Sequence, residues 1–185
     1  MTQGRTGLII GGAFGLVFIG ANAGAVAPAA VPLRLLAVAA FVGLFFVSRR
    51  PADPTGGDGD GGGDAGAART AFGRRYWLVV AGEVIAALAG VAVVNVYAPH
   101  LTGAWIALVV GLHFFGLAAV WHQASLRVLG AAMSACAAAG MVLGAAGAGP
   151  AVVASVAGIA PGVLLLASVW WSALAAGPRT AADAA

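Results

Sequence analysis

YWLVVAGEVIAALAGVAVVNVYAPHLTGAWIALVVGLHFFGLAAVWH, residues 76–122, is the stretch on which the fold turns. From Tyr76 to Ala98 it is apolar apart from Glu83 and Asn95, and from Leu101 to Trp121 it is apolar apart from Thr102 and His113. Wound as helices, the two runs are each about 30 Å long, the thickness of a hydrocarbon core. Ala98-Pro99-His100 between them leaves room only for a tight reversal, so the spacing predicts two antiparallel neighbouring spans.

Depth follows from the same count. Glu83 stands seven residues after Tyr76 and His113 eight before Trp121. If the two aromatics mark one membrane surface, both polar groups lie about 10–12 Å beneath it. A carboxylate and an imidazole at one depth on adjacent helices are placed to form an ion pair or a shared-proton hydrogen bond. An unpaired charge there would cost a few kcal/mol or more, about 2.5–3.5 on insertion scales. Ala86, Ala87 and Gly90 follow Glu83 at helical spacing, a small face suited to packing on another helix. The plainer alternative is that Glu83 snorkels to the headgroups and that His113 is a neutral ring bonded to a carbonyl or a serine.

Working outward, the rest of the chain repeats the pattern. Of its 185 residues, 62% are hydrophobic and 8% charged, against about 25% charged in soluble domains. The expected fold class is therefore an all-α integral membrane protein, a bundle of six transmembrane helices. Residues 1–48 form a first transmembrane hairpin, 49–75 a cytoplasmic Gly/Asp-rich flexible loop, 76–176 a four-helix transmembrane region and 177–185 a cytoplasmic tail. Gly7 to Ala27 is the first span, with Asn22 as its one polar side chain and Gly7, Gly11 and Gly15 as a ladder on which a second helix can lie close. A cleaved signal peptide ending near Ala25-Val26-Ala27 is the competing reading of this segment. Leu35 to Ser48 is short and spans only by recruiting the chain from Ala29 onward, with Arg34 turned outward. His122 to Arg127 reads as a polar turn, Val128 to Ala148 as the fifth span and Ala151 to Ala176 as the sixth, with a kink or hinge expected at Pro161, which has no N–H to donate.

Charge sets the threading. All nine basic residues are Arg. With six spans and both termini inside, Arg5, Arg49, Arg50, Arg69, Arg74, Arg75, Arg127 and Arg179 fall on the cytoplasmic side and Arg34 alone outside. Tyr76, Trp77, Trp121, Trp170 and Trp171 then mark inner ends, and Tyr97 and Trp105 outer ends. A plasma-membrane location with cytoplasmic termini is the expectation. An inner Arg is followed by an outer Pro three times (Arg5 to Pro28, Arg75 to Pro99, Arg127 to Pro150), and Val42-Gly43-Leu44-Phe45-Phe46 echoes Val110-Gly111-Leu112-His113-Phe114-Phe115. Three hairpins in parallel repeat would produce this pattern, and so would chance in so repetitive an alphabet.

Chemistry is sparse. The +3 net charge comes from flanks rather than from a basic patch with interleaved aromatics, so no nucleic-acid partner is expected. Cys136 is the single cysteine, which excludes an intrachain disulfide and a thiolate metal site. Asp58, Asp60 and Asp64 resemble the opening of a calcium loop, but Gly62 and the lack of a closing Glu break that pattern. His113 and His122 are nine residues apart, half a turn out of phase, so one helix face cannot present both to a metal. No P-loop, zinc-protease motif or nucleophile elbow is present, and no metal or cofactor is expected. The candidate polar site within the membrane is Glu83, His113, Asn95 and Asn22. The leading expectation is a small transporter or permeation protein using Glu83 and His113. The second is a structural or accessory subunit whose glycine ladders bind partner helices or a second copy of the chain. The third is an intramembrane enzyme with His113 as base, which needs a third converging polar residue.

Overall fold

The computed structural model describes residues 3–47, 74–121 and 123–175. Those residues are helical almost throughout, without strands among them, and form six helices long and apolar enough to cross a membrane. They are α1 (Gln3–Asn22), α2 (Ala30–Val47), α3 (Arg74–Tyr97), α4 (Thr102–Trp121), α5 (Ala124–Ala145) and α6 (Pro150–Ala175). The aspartate-rich loop, the tail, His122 and the side chains of the flanking Arg5, Arg74, Arg75, Tyr76, Trp77 and Trp121 lie outside what is described.

The short second run does recruit the chain before it. α2 starts at Ala30 and carries Arg34 outward, where its Nε–H donates to the Gly20 carbonyl at 3.2 Å. That bond answers one of the carbonyls left open at the C-terminal end of α1. α1 itself stops five residues earlier than expected. Asn22 Nδ2–H donates to the Phe18 carbonyl at 2.8 Å, and a 3₁₀ turn, Ala23–Ala25, follows. The expected polar turn His122–Arg127 is shorter than predicted. Gln123 is extended, α5 begins at Ala124, and Arg127 is exposed in its first turn. α5 ends on Gly147, whose φ of +83° is the left-handed conformation that favours glycine. The Gly147 N–H donates to Gly144 O at 3.1 Å and the Ala148 N–H to Leu143 O at 2.9 Å, the paired bonds of a Schellman cap.

Helix α6 is the centre of the bundle. It packs against α1, α2, α4 and α5. Phe18 of α1, Ala107 of α4, Met133 and Ala137 of α5 and Leu165 of α6 form one buried cluster, and Ile19, Ala37 and Leu166 form a second. Glycines set the approach of these helices. A Cβ on Gly15 would come within 2.9 Å of the Gly162 carbonyl, and one on Gly162 within 2.9 Å of the Gly15 carbonyl, so α1 and α6 cross backbone to backbone. Gly11 meets Val169 on the same face, whereas Gly7, the first rung of the ladder, meets nothing within 4 Å. α4 and α5 share the most extensive contact, with Gly111 against Ser134 and Gly130. No polar or charged residue is buried among the described residues.

Just before Pro161, Ser155–Ile159 form a π-helical turn in α6, and Ala160 N–H donates back to Ser155 O. Pro161 is almost fully buried and supplies no N–H, so the wider turn sits where the regular ladder is already interrupted. Trp170, expected in an interfacial belt, is instead tied into the bundle: its Nε1–H donates to the Ala40 carbonyl of α2 at 3.0 Å. Trp170→Phe should cost about 0.6 kcal/mol, and at most about 1.7, if that bond holds α2 to α6 as interhelical bonds in membrane proteins do. Thermal unfolding in detergent, with Trp171→Phe at a 77% exposed neighbour as control, measures it.

Candidate functional site

Helix α3 stands at the edge of the molecule. It packs chiefly on α4 and on the 3₁₀ turn Pro99–Leu101, and no part of its Val80–Tyr97 stretch is buried. Ile85, Leu88, Val93, Val96 and Tyr97 face away from the bundle, more than half exposed. The side toward α4 carries Val80, Glu83, Ala87, Gly90, Val91 and Val94 at helical spacing, all partly covered. Ala86, expected on this packing face, is exposed: it lies about a fifth of a turn off the line through Glu83, Ala87 and Gly90.

Across that seam Glu83 Oε2 meets His113 Nδ1 directly. The hairpin turn explains why. With only a few residues between α3 and α4, two groups equally far from the reversal must come level. A carboxylate and an imidazole in contact share one exchangeable proton, carried either as Nδ1–H donating to the carboxylate or as a carboxyl O–H donating to the ring nitrogen. The pair is not sealed. The side chains keep 25% (Glu83) and 33% (His113) of their accessible surface, on the flank between α3 and α4. No family model, curated protein or solved structure matches this chain. The chemistry of the site must be read from its own atoms.

The other two candidate polar residues do not join the pair. Asn95 is exposed in the last turn of α3, at the far end of the seam. Asn22 lies at the opposite side of α4, where its side chain fills the space left by Gly158 in the π-turn of α6 and its Oδ1 abuts Gly103. It is a plug between α1, α4 and α6. No cluster of three or more His, Cys, Asp or Glu that could hold a metal occurs among the described residues.

Two residues missed in the sequence belong to the seam. The Trp105 indole lies against Gly90, so close that a Cβ at Gly90 would overlap the ring. Its Nε1 is buried without a hydrogen-bond partner, and so is Thr102 Oγ1. The signal for them was there. Gly90 lies seven residues after Glu83 and Trp105 eight before His113, so antiparallel helices that meet at one of these pairs also meet at the other.

Proposed function

We propose that this chain is a multi-pass protein of the plasma membrane with both termini in the cytoplasm, and that it is a small transporter or permeation protein whose proton-exchanging site is the Glu83–His113 pair. The bilayer placement rests on six apolar helices of spanning length and on eight arginines against one across the expected threading. The activity rests on one observation, the acid–imidazole contact on a partly open flank between two helices. Ionisable groups at hydrocarbon depth are costly and serve proton and ion pathways in many membrane proteins. A proton taken up at this contact changes the charge of a site in a medium of low dielectric, which couples its occupancy to the fit of α3 on α4.

A second reading is an accessory subunit that binds a partner helix. The observation favouring it is the bare outer side of α3, together with a bundle centre packed by Gly, Ala and Leu. The two readings part on one measurement. Protein reconstituted into vesicles should dissipate an imposed pH gradient, and Glu83→Gln, which keeps the shape and removes the exchangeable charge, should lower the proton flux by a factor of about 100 or more, as loss of an acid–base group does. Wild-type flux in Glu83→Gln rejects the transport reading. Co-purification with a larger membrane complex that depends on α3 would then support the accessory one.

A further inference from the structure

The described residues contain three buried polar side-chain atoms without a partner: Thr102 Oγ1, Trp105 Nε1 and Ser134 Oγ. Ser134 lies against Gly111, between α4 and α5. The other two lie elsewhere, and together. Thr102, Trp105, Val109 and His113 are spaced three, four and four residues apart, one face of α4. Trp105 and His113 fix the direction of that face, since one touches Gly90 and the other Glu83, both on α3. Both orphaned donors therefore belong to the α3–α4 seam, between the Glu83–His113 pair and the turn Pro99–Leu101. Along α4, Trp105 is about 12 Å from His113.

Donors buried without a partner are rare, because a protein interior gives nothing back for the water they lose. Here they lie beneath a helix that is held along one side only. Trp170 shows the contrast within the same molecule: its indole N–H reaches a carbonyl. A seam whose two donors have no protein partner when closed gains two hydrogen bonds when it opens to water, so the orphaned donors bias it toward opening. The indole is the largest side chain on this face, seated in the slot that Gly90 leaves.

We infer that Trp105, seated on Gly90, is the gate of the Glu83–His113 site: it closes the α3–α4 seam on the side of the Pro99–Leu101 turn, and its displacement admits water past Thr102 and Trp105 to the pair. The inference rests on the proposed proton exchange and adds the route by which protons reach it. Trp105 is a positioning residue and does not itself exchange the proton. The seam stays shut while the ring occupies the slot. Opening lets the indole N–H and the Thr102 hydroxyl donate to water.

Two sets of measurements test it. In vesicles, Trp105→Ala removes the plug and Gly90→Ala evicts it, and both should raise the proton flux roughly fivefold or more, the factor set by one unsatisfied donor. Trp105→Phe and Thr102→Val keep the volume and remove the donor that favours opening, and should lower the flux by a similar factor. Adding Glu83→Gln to Trp105→Ala should abolish the gain. Wild-type flux in all four single variants overturns the gate while leaving the role of Glu83 intact. The second measurement needs no transport. In bilayers, solid-state NMR of 15N-tryptophan-labelled protein should show magnetisation passing from water to the Trp105 indole proton, assigned by its loss in Trp105→Phe, and none to that of Trp170. A Trp105 signal as dry as that of Trp170 overturns the gate. A wet Trp105 in a protein that moves no protons keeps the gate and rejects the transport reading.

Discussion

Gly162→Leu is expected to lower the melting temperature of the detergent-solubilised protein by roughly 10 °C, the equivalent of about 3 kcal/mol for a chain of this size. The cause is the crossing of α1 and α6. A Cβ at position 162 would stand 2.7 Å from Ile19 and 2.9 Å from the Gly15 carbonyl. A side chain can swing aside, but a carbonyl within a helix cannot, so α1 as a whole must move away from α6. Phe18 and Ile19 leave their clusters with it, which uncovers Leu165 and Leu166 of α6. Within a bilayer that loss has no hydrophobic compensation, because lipid chains are as apolar as the core and close van der Waals packing is what holds the helices together. Gly7→Leu is the control, since a Cβ there meets nothing within 4 Å. An equal shift from both substitutions would show that the crossing is not what stabilises the fold.

The second large effect is a sign reversal. His113→Leu should destabilise the protein by about 2–3 kcal/mol, because in the proposed bilayer placement it leaves the Glu83 carboxyl at hydrocarbon depth without its partner. Glu83→Leu should do the same to His113, by a smaller amount, since a neutral ring is cheaper to leave alone than a carboxylate. The double variant should recover most of the loss, since two leucines fill the seam without any polar group to satisfy. Reversible unfolding of the four proteins gives the coupling energy. Additive losses would mean that the two groups do not act on each other in the folded protein. Read with the flux measurements, the cycle separates stability from activity: the double variant is expected to be the well-folded and inactive one.

The six helices of spanning length were legible because length and hydropathy carry them, and the α3–α4 hairpin because its turn is too short for any other course. The contact of Glu83 with His113 followed from that hairpin and from counting residues from Tyr76 and Trp121. Helix partners were not legible. In a soluble helix the apolar stripe tells which side is inward, but here every side is apolar, and only the small residues mark a close approach. They mark it without naming the partner: Gly11 and Gly15 of α1 meet α6, the helix farthest from α1 in sequence. The echoed fragments do not name a common environment either. Leu44 is buried at 1% exposure while Leu112 is 52% exposed, so similar letters stand in dissimilar surroundings. Trp105 and Trp170 read as belt residues by composition, yet one is wedged between helices and the other bonded across them, which depends on the neighbouring helix and not on distance from a span end. Pro161 announced an interruption of α6, but not that it would take the form of a wider turn filled by Asn22.

That α6 holds the middle has a consequence for biosynthesis. In the proposed bilayer placement it is the last of the six spans to leave the ribosome, and every earlier helix except α3 packs on it. Until it arrives, the translocon must release or retain five segments that have surfaces cut to fit something not yet made. In that placement, nascent chains stalled before Pro150 are expected to be cleared by membrane proteases, while those completed through Ala175 escape.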